Sequence, residues 1–251
     1  MFGISQWLQA VLLLLIGVAV GSFGNVVIVR LPKGESVRGR SQCPQCRKIL
    51  APKELIPLVS FCMLRGKCAQ CKTKISWQYP IVELAGGLLF LAARFVEPRT
   101  LFSALLLGLC LWLLLLIAIL DAKTERISDA LSIPLLLLAI LFRFVAGDVE
   151  FLGLAVGIGF VGLQWIVSRG RWVGSGDVIL IAGISLLLQG WQHVVLCLFL
   201  AYMLGASVAM PLLMTGKKKR RDHLAFAPFL VTACAITIFF GDAILRFYLH
   251  I

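Results

Sequence analysis

The chain has 251 residues, of which 60% are hydrophobic and only 14% are charged. Soluble domains average about 45–50% apolar and about 25% charged residues, so this composition excludes an ordinary soluble protein and predicts an integral membrane protein. The formal net charge of +12 is compatible with nucleic-acid binding. In a protein with several spans, however, an excess of Lys and Arg marks the cytoplasmic loops.

Apolar runs along the chain predict eight membrane-spanning helices. A spanning helix needs about 20 mainly apolar residues. The first run has no Lys or Arg before it and no small-residue cleavage site, so we interpret it as a retained helix and not as a signal peptide. The sixth run is short, and the glycines in and before it favour a discontinuous helix that faces protein or water. The runs cover residues 7–29, 81–96, 101–120, 130–146, 151–168, 178–190, 193–214 and 224–245.

The basic residues fall mostly on one side of this topology. If the amino terminus is outside, the inside segments hold 20 of the 24 Lys and Arg, namely those of 30–80, 121–129, 169–177 and 215–223. The positive-inside rule therefore predicts that both termini lie outside, and it accounts for the run KKKRR without a nucleic-acid partner. The four basic residues near the opposite side are Arg94, Arg99, Arg143 and Arg246.

The long polar segment 30–80 contains two C-x-x-C pairs, CPQC and CAQC. Two such pairs about twenty residues apart are typical of a four-thiolate zinc site, because each pair points two sulfurs at one ion. Two disulfides are the alternative, but they are rare in the reducing cytoplasm, where the topology places this segment. We therefore predict a closed, structural zinc site formed by Cys43, Cys46, Cys68 and Cys71. The other cysteines are expected to be core residues: Cys62, Cys110, Cys197 and Cys234.

Acidic residues mark the ends of three apolar runs. Asp121 ends the third run, Asp129 precedes the fourth, and Asp177 precedes the sixth. Ionisable residues at membrane depth are costly and indicate function. Helix capping is the structural alternative, since Asp is a preferred N-cap. Capping suits Asp129 best and Asp121 least, because an acid at a helix C-terminus opposes the helix dipole.

A pair formed by Asp121 and Asp177 has a defined chemistry. Two carboxyl groups brought close together share one proton. The ionised carboxyl group then acts as general base on a water molecule, while the protonated one donates a hydrogen bond to the scissile carbonyl. This arrangement predicts peptide hydrolysis without a covalent intermediate.

Two other classes of protein fit the same residues. In a transporter, Asp121 and Asp177 would relay protons or bind a cation; such sites lie near the membrane midplane, whereas these acids map to one edge. In a zinc-binding scaffold without chemistry, the acids would only cap helices. The scaffold predicts that replacing either acid with Asn leaves function intact.

Motifs along almost the whole chain resemble those of the type IV prepilin peptidases, which are leader peptidases and N-methyltransferases of type IV pilus and type II secretion systems. GSFGNVVIVRLP is similar to the family sequence GSFLNVVIYRLP, and the cysteine-rich segment through YPIVE resembles the family's cytoplasmic domain. The stretch from Asp121 matches the first catalytic-aspartate motif. GSGD matches the G-x-G-D motif of intramembrane aspartyl peptidases, and LAFAPFL is similar to IAFGPFL.

The resemblance implies that Asp121 and Asp177 are catalytic. Gly174, Gly176 and Asp129 would support them, the glycines by allowing backbone conformations and close approaches that a side chain would block. The resemblance also implies that the protein cleaves the basic leader from a prepilin or pseudopilin at the cytoplasmic edge of the bacterial inner membrane.

A second activity is also implied by the resemblance. It is methylation of the new amino terminus with S-adenosylmethionine, in the neighbourhood of Asn25 and Glu83. The chain has no glycine signature of a Rossmann-type methyl-donor site of its own.

Three positions depart from the family pattern. Ser128 stands where proline is usual, Ile179 where lysine is usual, and Ala227 where glycine is usual. The change at Ile179 removes a positive charge two residues from Asp177.

The expected fold is an all-α polytopic membrane protein with about eight transmembrane helices and a small cytoplasmic zinc-binding domain after the first helix. The expected domains are a first transmembrane helix at 1–29, the four-cysteine domain at 30–80 and an aspartyl peptidase domain at 81–251. The expected partners are prepilin substrates and the lipid bilayer, without nucleic acid.

Overall fold

A computed structural model of the chain describes residues 4–147, 150–216 and 224–249. Within these ranges the protein is helical and contains no β-strand, only two isolated β-bridges. The α-helices are α1 (Ile4–Arg30), α2 (Val59–Met63), α3 (Gln78–Val96), α4 (Leu101–Thr124), α5 (Asp129–Ala146), α6 (Phe151–Ser168), α7 (Ser175–Leu187), α8 (Trp191–Met214) and α9 (Ala227–Leu249).

Seven helices in the described ranges are long and apolar enough to cross a membrane: α1, α3, α4, α5, α6, α8 and α9. The eighth apolar helix, α7, has only 13 residues. It is about 20 Å long, whereas the hydrocarbon core of a bilayer is about 30 Å thick. The predicted all-α polytopic fold is therefore confirmed, and the short sixth run corresponds to a helix that is shorter than the hydrocarbon core.

The chain divides into two compact units, Met1–Trp112 and Leu113–Ile251. In the first unit, α1 packs closely against α3. A Cβ atom on Gly17 would lie 2.5 Å from the carbonyl oxygen of Gly86, and one on Gly21 would lie 2.8 Å from that of Val82. Small residues let the backbones of membrane helices approach this closely, and here they hold the ends of segment 31–77 side by side.

The second unit is built around α7. Residues 180–187 are all buried, so this helix is apolar on every side, as expected of a core helix. Helices α5, α6, α8 and α9 pack around it. The contact with α6 is close, because a Cβ atom on Gly157 would lie 2.2 Å from Oγ of Ser185. The helix that carries Asp177 is therefore enclosed by its neighbours from Leu180 to its end.

Arg143, near the end of α5, binds the C-terminal end of α7. Its guanidinium donates hydrogen bonds to the carbonyl oxygens of Leu186 and Leu188, and only 5% of its surface is exposed. The last carbonyls of a helix lack partners within the helix, and a cation there also complements the helix dipole. This basic residue, assigned from sequence to the outer side, therefore closes the end of a buried helix.

Replacement of Arg143 by Leu should destabilise the second unit. The change leaves two buried carbonyl groups without these donors, at about 1–3 kcal/mol for each unsatisfied group. Thermal unfolding of the purified protein in detergent should show a midpoint several degrees lower. Arg246→Leu is the matched control, since Arg246 is an exposed arginine in the last turn of α9. Equal midpoints for the two variants would contradict the role of Arg143.

Candidate functional site

Asp121 lies in the last turn of α4 and is 4% exposed. Its Oδ2 atom accepts a hydrogen bond of 3.0 Å from the backbone N–H of Ala227, the first residue of α9. The first N–H groups of a helix lack partners within the helix, and the positive end of the helix dipole stabilises an anion. The start of α9 therefore holds Asp121 in place. The contact uses only a backbone N–H, so alanine at position 227 provides it as glycine would.

Asp177 is the third residue of α7. Its Oδ2 atom accepts a hydrogen bond of 3.0 Å from the backbone N–H of Gly174, and its own N–H donates to the Gly174 carbonyl at 3.2 Å. Within the described part of the chain, its Oδ1 atom is buried and has no hydrogen-bond partner. Buried polar atoms are nearly always paired, so an unpaired one needs an explanation, of which a catalytic role is one. Helix capping accounts for one oxygen of Asp177 and leaves the other available.

The two acids lie near each other in the second unit. The negative charge of Asp121 acts on Asp177, so the carboxyl groups are within electrostatic range. The segment after α4 also packs on the GSGD turn: a Cβ atom on Gly176 would lie 2.9 Å from Cβ of Ile127. Close packing therefore requires glycine at position 176.

Gly174 differs from Gly176 in its surroundings. Its backbone is extended, with φ −80° and ψ 163°, which any residue adopts. A Cβ atom there would be in ordinary contact with Oδ2 of Asp177, at 3.5 Å, and with the backbone nitrogen of Gly176, at 3.9 Å. The position is exposed, so the absence of a side chain leaves the approach to Asp177 open.

Asp129 is exposed and is the first residue of α5. The preceding residue, Ser128, is the N-cap and makes no hydrogen bond with its side chain to the helix. An acid in the first turn of a helix is stabilised by the helix dipole. The structure therefore gives Asp129 an ordinary helix-start position, whereas Asp121 is buried and Asp177 is half-buried.

An aromatic cluster beside the acids was not anticipated from the sequence. The hydroxyl of Tyr202 donates to Oε1 of Gln164 at 2.8 Å, and Asp177 acts electrostatically on this tyrosine. The Tyr202 ring lies 5.2 Å from that of Phe226 and 5.8 Å from that of Phe160. These aromatic residues come from distant parts of the chain, and no local motif marks them. The cluster therefore places the Tyr202 hydroxyl within electrostatic range of Asp177.

The four predicted cysteine ligands are brought together in the first unit. Their sulfur atoms all lie within 4.8 Å of one another, and they are free thiols. Two of the distances are 3.8 Å, from Cys43 to Cys71, and 4.0 Å, from Cys46 to Cys68. Zn–S bonds of about 2.3 Å in a tetrahedron separate the sulfurs by about 3.8 Å, so the cluster has the dimensions of a zinc site.

Each cysteine pair forms the same tight turn. The N–H of Arg47 donates to the carbonyl of Cys43, and the N–H of Lys72 donates to that of Cys68. Arg47 and Lys72 have positive φ angles of 55° and 58°. The repeated geometry points both pairs at one position. Of the remaining cysteines, Cys110, Cys197 and Cys234 are buried as expected, whereas Cys62 is exposed, contrary to the expectation.

The sulfurs differ in how readily they ionise. Hydrogen bonds with the hydroxyl and the backbone N–H of Thr73 lower the pKa of Cys71 to about 6. The N–H of Lys48 lowers the pKa of Cys46, but burial and the neighbouring thiols outweigh it and raise that pKa to about 11. Four thiolates at this distance repel one another, so a divalent cation is needed to keep all four deprotonated.

Asn25 and Glu83 lie one helical turn apart along the contact between α1 and α3. Asn25 is 2% exposed, and its Nδ2 atom donates to the carbonyl of Tyr79 at 3.1 Å. Glu83 is 7% exposed, and its Oε2 atom accepts from the N–H of Leu58 at 2.8 Å. Both side chains therefore bind backbone groups of their own unit.

Two family models match the chain. Residues 15–96 match the Bacterial Peptidase A24 N-terminal domain, and residues 108–210 match the Type IV leader peptidase family. The first range contains the four clustered cysteines, and the second contains Asp121 and Asp177.

Curated relatives with the name prepilin leader peptidase/N-methyltransferase cover nearly the whole chain. The Bacillus subtilis (strain 168) protein is 34% identical over 248 residues, which is 95% of this chain and 97% of the relative. The Aeromonas hydrophila protein is 31% identical, with 97% of this chain and 94% of the relative covered. The Pseudomonas aeruginosa protein is 32% identical, with coverage of 94% and 92%. No solved structure matches the chain.

Gly176→Val should destabilise the second unit. The added side chain would displace Ile127, and overpacking of this kind costs about 1–3 kcal/mol. A lower thermal unfolding midpoint in detergent is the expected result. Gly174→Ser is the matched control, because position 174 is open and Ser is a favourable N-cap residue. A midpoint for the valine variant equal to that of the unmodified protein would contradict the packing argument.

Proposed function

We propose, from the premise that this chain belongs to the type IV leader peptidase family, that it cleaves the leader from prepilins or pseudopilins with Asp121 and Asp177 as its catalytic pair. The observation that carries the proposal is the state of Asp177. One of its oxygens is fixed by a backbone N–H, and the other is buried, has no hydrogen-bond partner among the described residues, and lies near the buried acid Asp121.

The proposed mechanism uses one proton shared by two fixed carboxyl groups. Two nearby acids do not ionise together easily, so one carries the proton at neutral pH. The ionised carboxyl group removes a proton from water as the water attacks the scissile carbonyl. The protonated one donates to the carbonyl oxygen, and a proton then passes to the leaving amine. The fixed backbone contacts of Asp121 and Asp177 keep both groups oriented for these steps.

The position of the acids along their helices supports cleavage at a membrane edge. Asp121 lies in the last turn of its helix, and Asp177 lies in the first turn of its helix. The charge-derived topology assigns both ends to the cytoplasmic side. A prepilin carries a short basic leader followed by an apolar membrane helix, so its cleavage site would meet the acids at this level. The same topology disfavours a transporter, because a transporter would need the two acids near the midplane of the membrane.

The first unit would hold a structural zinc ion through Cys43, Cys46, Cys68 and Cys71. The sulfur distances and the paired tight turns fit a four-thiolate site, and zinc there would cross-link the segment between α1 and α3. Such a closed site has no position for substrate. Its proposed role is therefore to fold this segment on the cytoplasmic side.

Methylation of the new amino terminus with S-adenosylmethionine is proposed from family membership. We propose the neighbourhood of Asn25 and Glu83 for this activity. Each side chain binds one backbone group, so both are held in place where α1, α3 and the connecting segment meet.

Replacement of Asp121 or Asp177 by Asn should reduce leader cleavage by about 1,000-fold or more, and the double variant should be little worse than either single one. The two acids act together through one shared proton. The first substitution already removes the catalytic pair, so the second has little further effect. The assay is cleavage of a purified prepilin by detergent-purified variants with matched unfolding midpoints.

Asp129→Asn is the control for these variants, because Asp129 is an exposed acid at a helix start. This substitution should reduce activity much less. Full cleavage by a folded Asp177→Asn variant would refute the catalytic pair. Asn accepts the same backbone hydrogen bond, so a purely capping role predicts that outcome.

Metal analysis of purified protein should find about one zinc ion per chain. Replacement of Cys43 and Cys46 by Ser should abolish it, and acidification should release it, because protons compete with the metal for the sulfurs. Cys62→Ser is the matched control, since Cys62 lies in the same segment but outside the cluster. Zinc retained in the Cys43/Cys46 variant would exclude this site.

A further inference from the structure

The segment between α1 and α3 carries an apolar surface that its own fold leaves uncovered. Leu55, Ile56, Val59 and Met63 are 42%, 47%, 49% and 73% exposed. Val59 and Met63 lie one turn apart on α2, so they share a face. On the other side of α2 the ring of Phe61, which is half-buried, lies 5.1 Å from that of Trp77. We refer to Leu55, Ile56, Val59 and Met63 as the apolar ridge.

A buried hydrogen bond fixes the depth of the apolar ridge. Leu58, in the middle of the ridge, donates its N–H to Glu83 at 2.8 Å. Glu83 is the sixth residue of α3, about 8 Å along the helix from its first residue. Because α3 is a membrane-spanning helix, the turn at Leu58 lies beside its first two turns. The ridge is therefore at the level where α3 enters the membrane.

The turn that presents the ridge is strained. Leu58 has φ 61° and ψ −48°, and the N–H of Val59 donates to the carbonyl of Pro57 at 2.6 Å. This is a tight γ-turn, which is rare for a residue with a side chain. Strained backbone persists where its surroundings hold it, and they often do so at functional positions. Here the buried carboxylate of Glu83 holds it, so the ridge is a built feature of the unit.

The charge around the apolar ridge selects one kind of partner. Segment 30–80 contains eleven Lys and Arg but only two acidic residues. Lys53 and Arg65, on either side of the ridge, are exposed. Trp77, next to the start of α3, is 70% exposed. Basic residues beside a membrane attract anionic lipid headgroups, and aromatic residues concentrate at the membrane–water interface.

We propose that the apolar ridge inserts into the headgroup region of a leaflet rich in anionic lipid. Leu55, Ile56, Val59 and Met63 would reach the boundary of the acyl chains, while Lys53 and Arg65 bind lipid phosphates. This is how an interfacial amphipathic element binds a bilayer. The ridge thereby holds the zinc-binding segment flat against the membrane, beside the helices that flank it. The proposal is independent of the peptidase assignment.

Cys62 provides a probe directly beside the apolar ridge, next to Met63 on α2. It is exposed on α2, while the other cysteines are either in the four-sulfur cluster or buried. Full-length, zinc-loaded protein in nanodiscs of phosphatidylcholine and phosphatidylglycerol would be spin-labelled at this position, with Cys62→Ser as the background control. Power saturation with oxygen and with a water-soluble nickel chelate then reports depth. We expect the spin label at position 62 to be more accessible to oxygen than to the nickel chelate.

Two other results would overturn the proposal. Ready access of the nickel chelate, as at an aqueous site, would show that the ridge lies in water. Access of neither reagent would show that protein covers it. As a second measurement without mutation, replacement of the phosphatidylglycerol by phosphatidylcholine should lower the ratio of oxygen to chelate accessibility several-fold. An unchanged ratio would refute the assignment to anionic lipid.

A pair of variants tests which residues insert. Val59→Glu together with Met63→Glu should move the label toward water and lower the accessibility ratio several-fold. Ile49→Glu is the matched control, because Ile49 is 50% exposed in the same segment but lies next to the cysteine cluster. Zinc content equal to that of the unmodified protein would show that both variants fold. An equal ratio in both variants would refute insertion of the ridge.

Discussion

The second unit depends on one constraint: within a membrane, backbone polar groups must find partners in the protein. Helix α7 is too short to place both of its ends in water, and a side chain binds the backbone at each end. Asp177 accepts from the backbone at the beginning of the helix, and Arg143 donates to the carbonyl groups at its end. The same acid that completes the helix is the one we assign to catalysis.

The second acid follows the same rule in a less obvious way. Asp121 lies at the C-terminal end of α4, where the dipole of its own helix disfavours a negative charge. The beginning of α9 compensates, because a free N–H of that helix binds the carboxyl group. Two acids thus come to one place as partners of two different helix ends. Their positions are fixed by backbone groups, which substitutions at neighbouring side chains leave in place.

Much of this architecture is encoded locally and was predictable. Apolar runs identify the helices because lipid requires a long apolar stretch, and the spacing of the cysteine pairs identifies the four-cysteine cluster because a tight turn has fixed geometry. The short length of α7 was also visible. Contacts between distant positions were not: the sequence gives no sign that Arg143 closes α7, that Tyr202 lies beside Asp177, or that Glu83 holds Leu58. Each depends on how helices pack, and so on a structure.

The attachment of α7 at both ends also limits how the site can open. A shift of this helix along its axis would break the bonds of Arg143 and strain the close contact between Gly176 and Ile127 at the same time. Asp177 therefore stays at a constant depth while a substrate enters. On the proposed assignment of Asp177, the position of a cleavage site would then be selected relative to a carboxyl group at fixed depth.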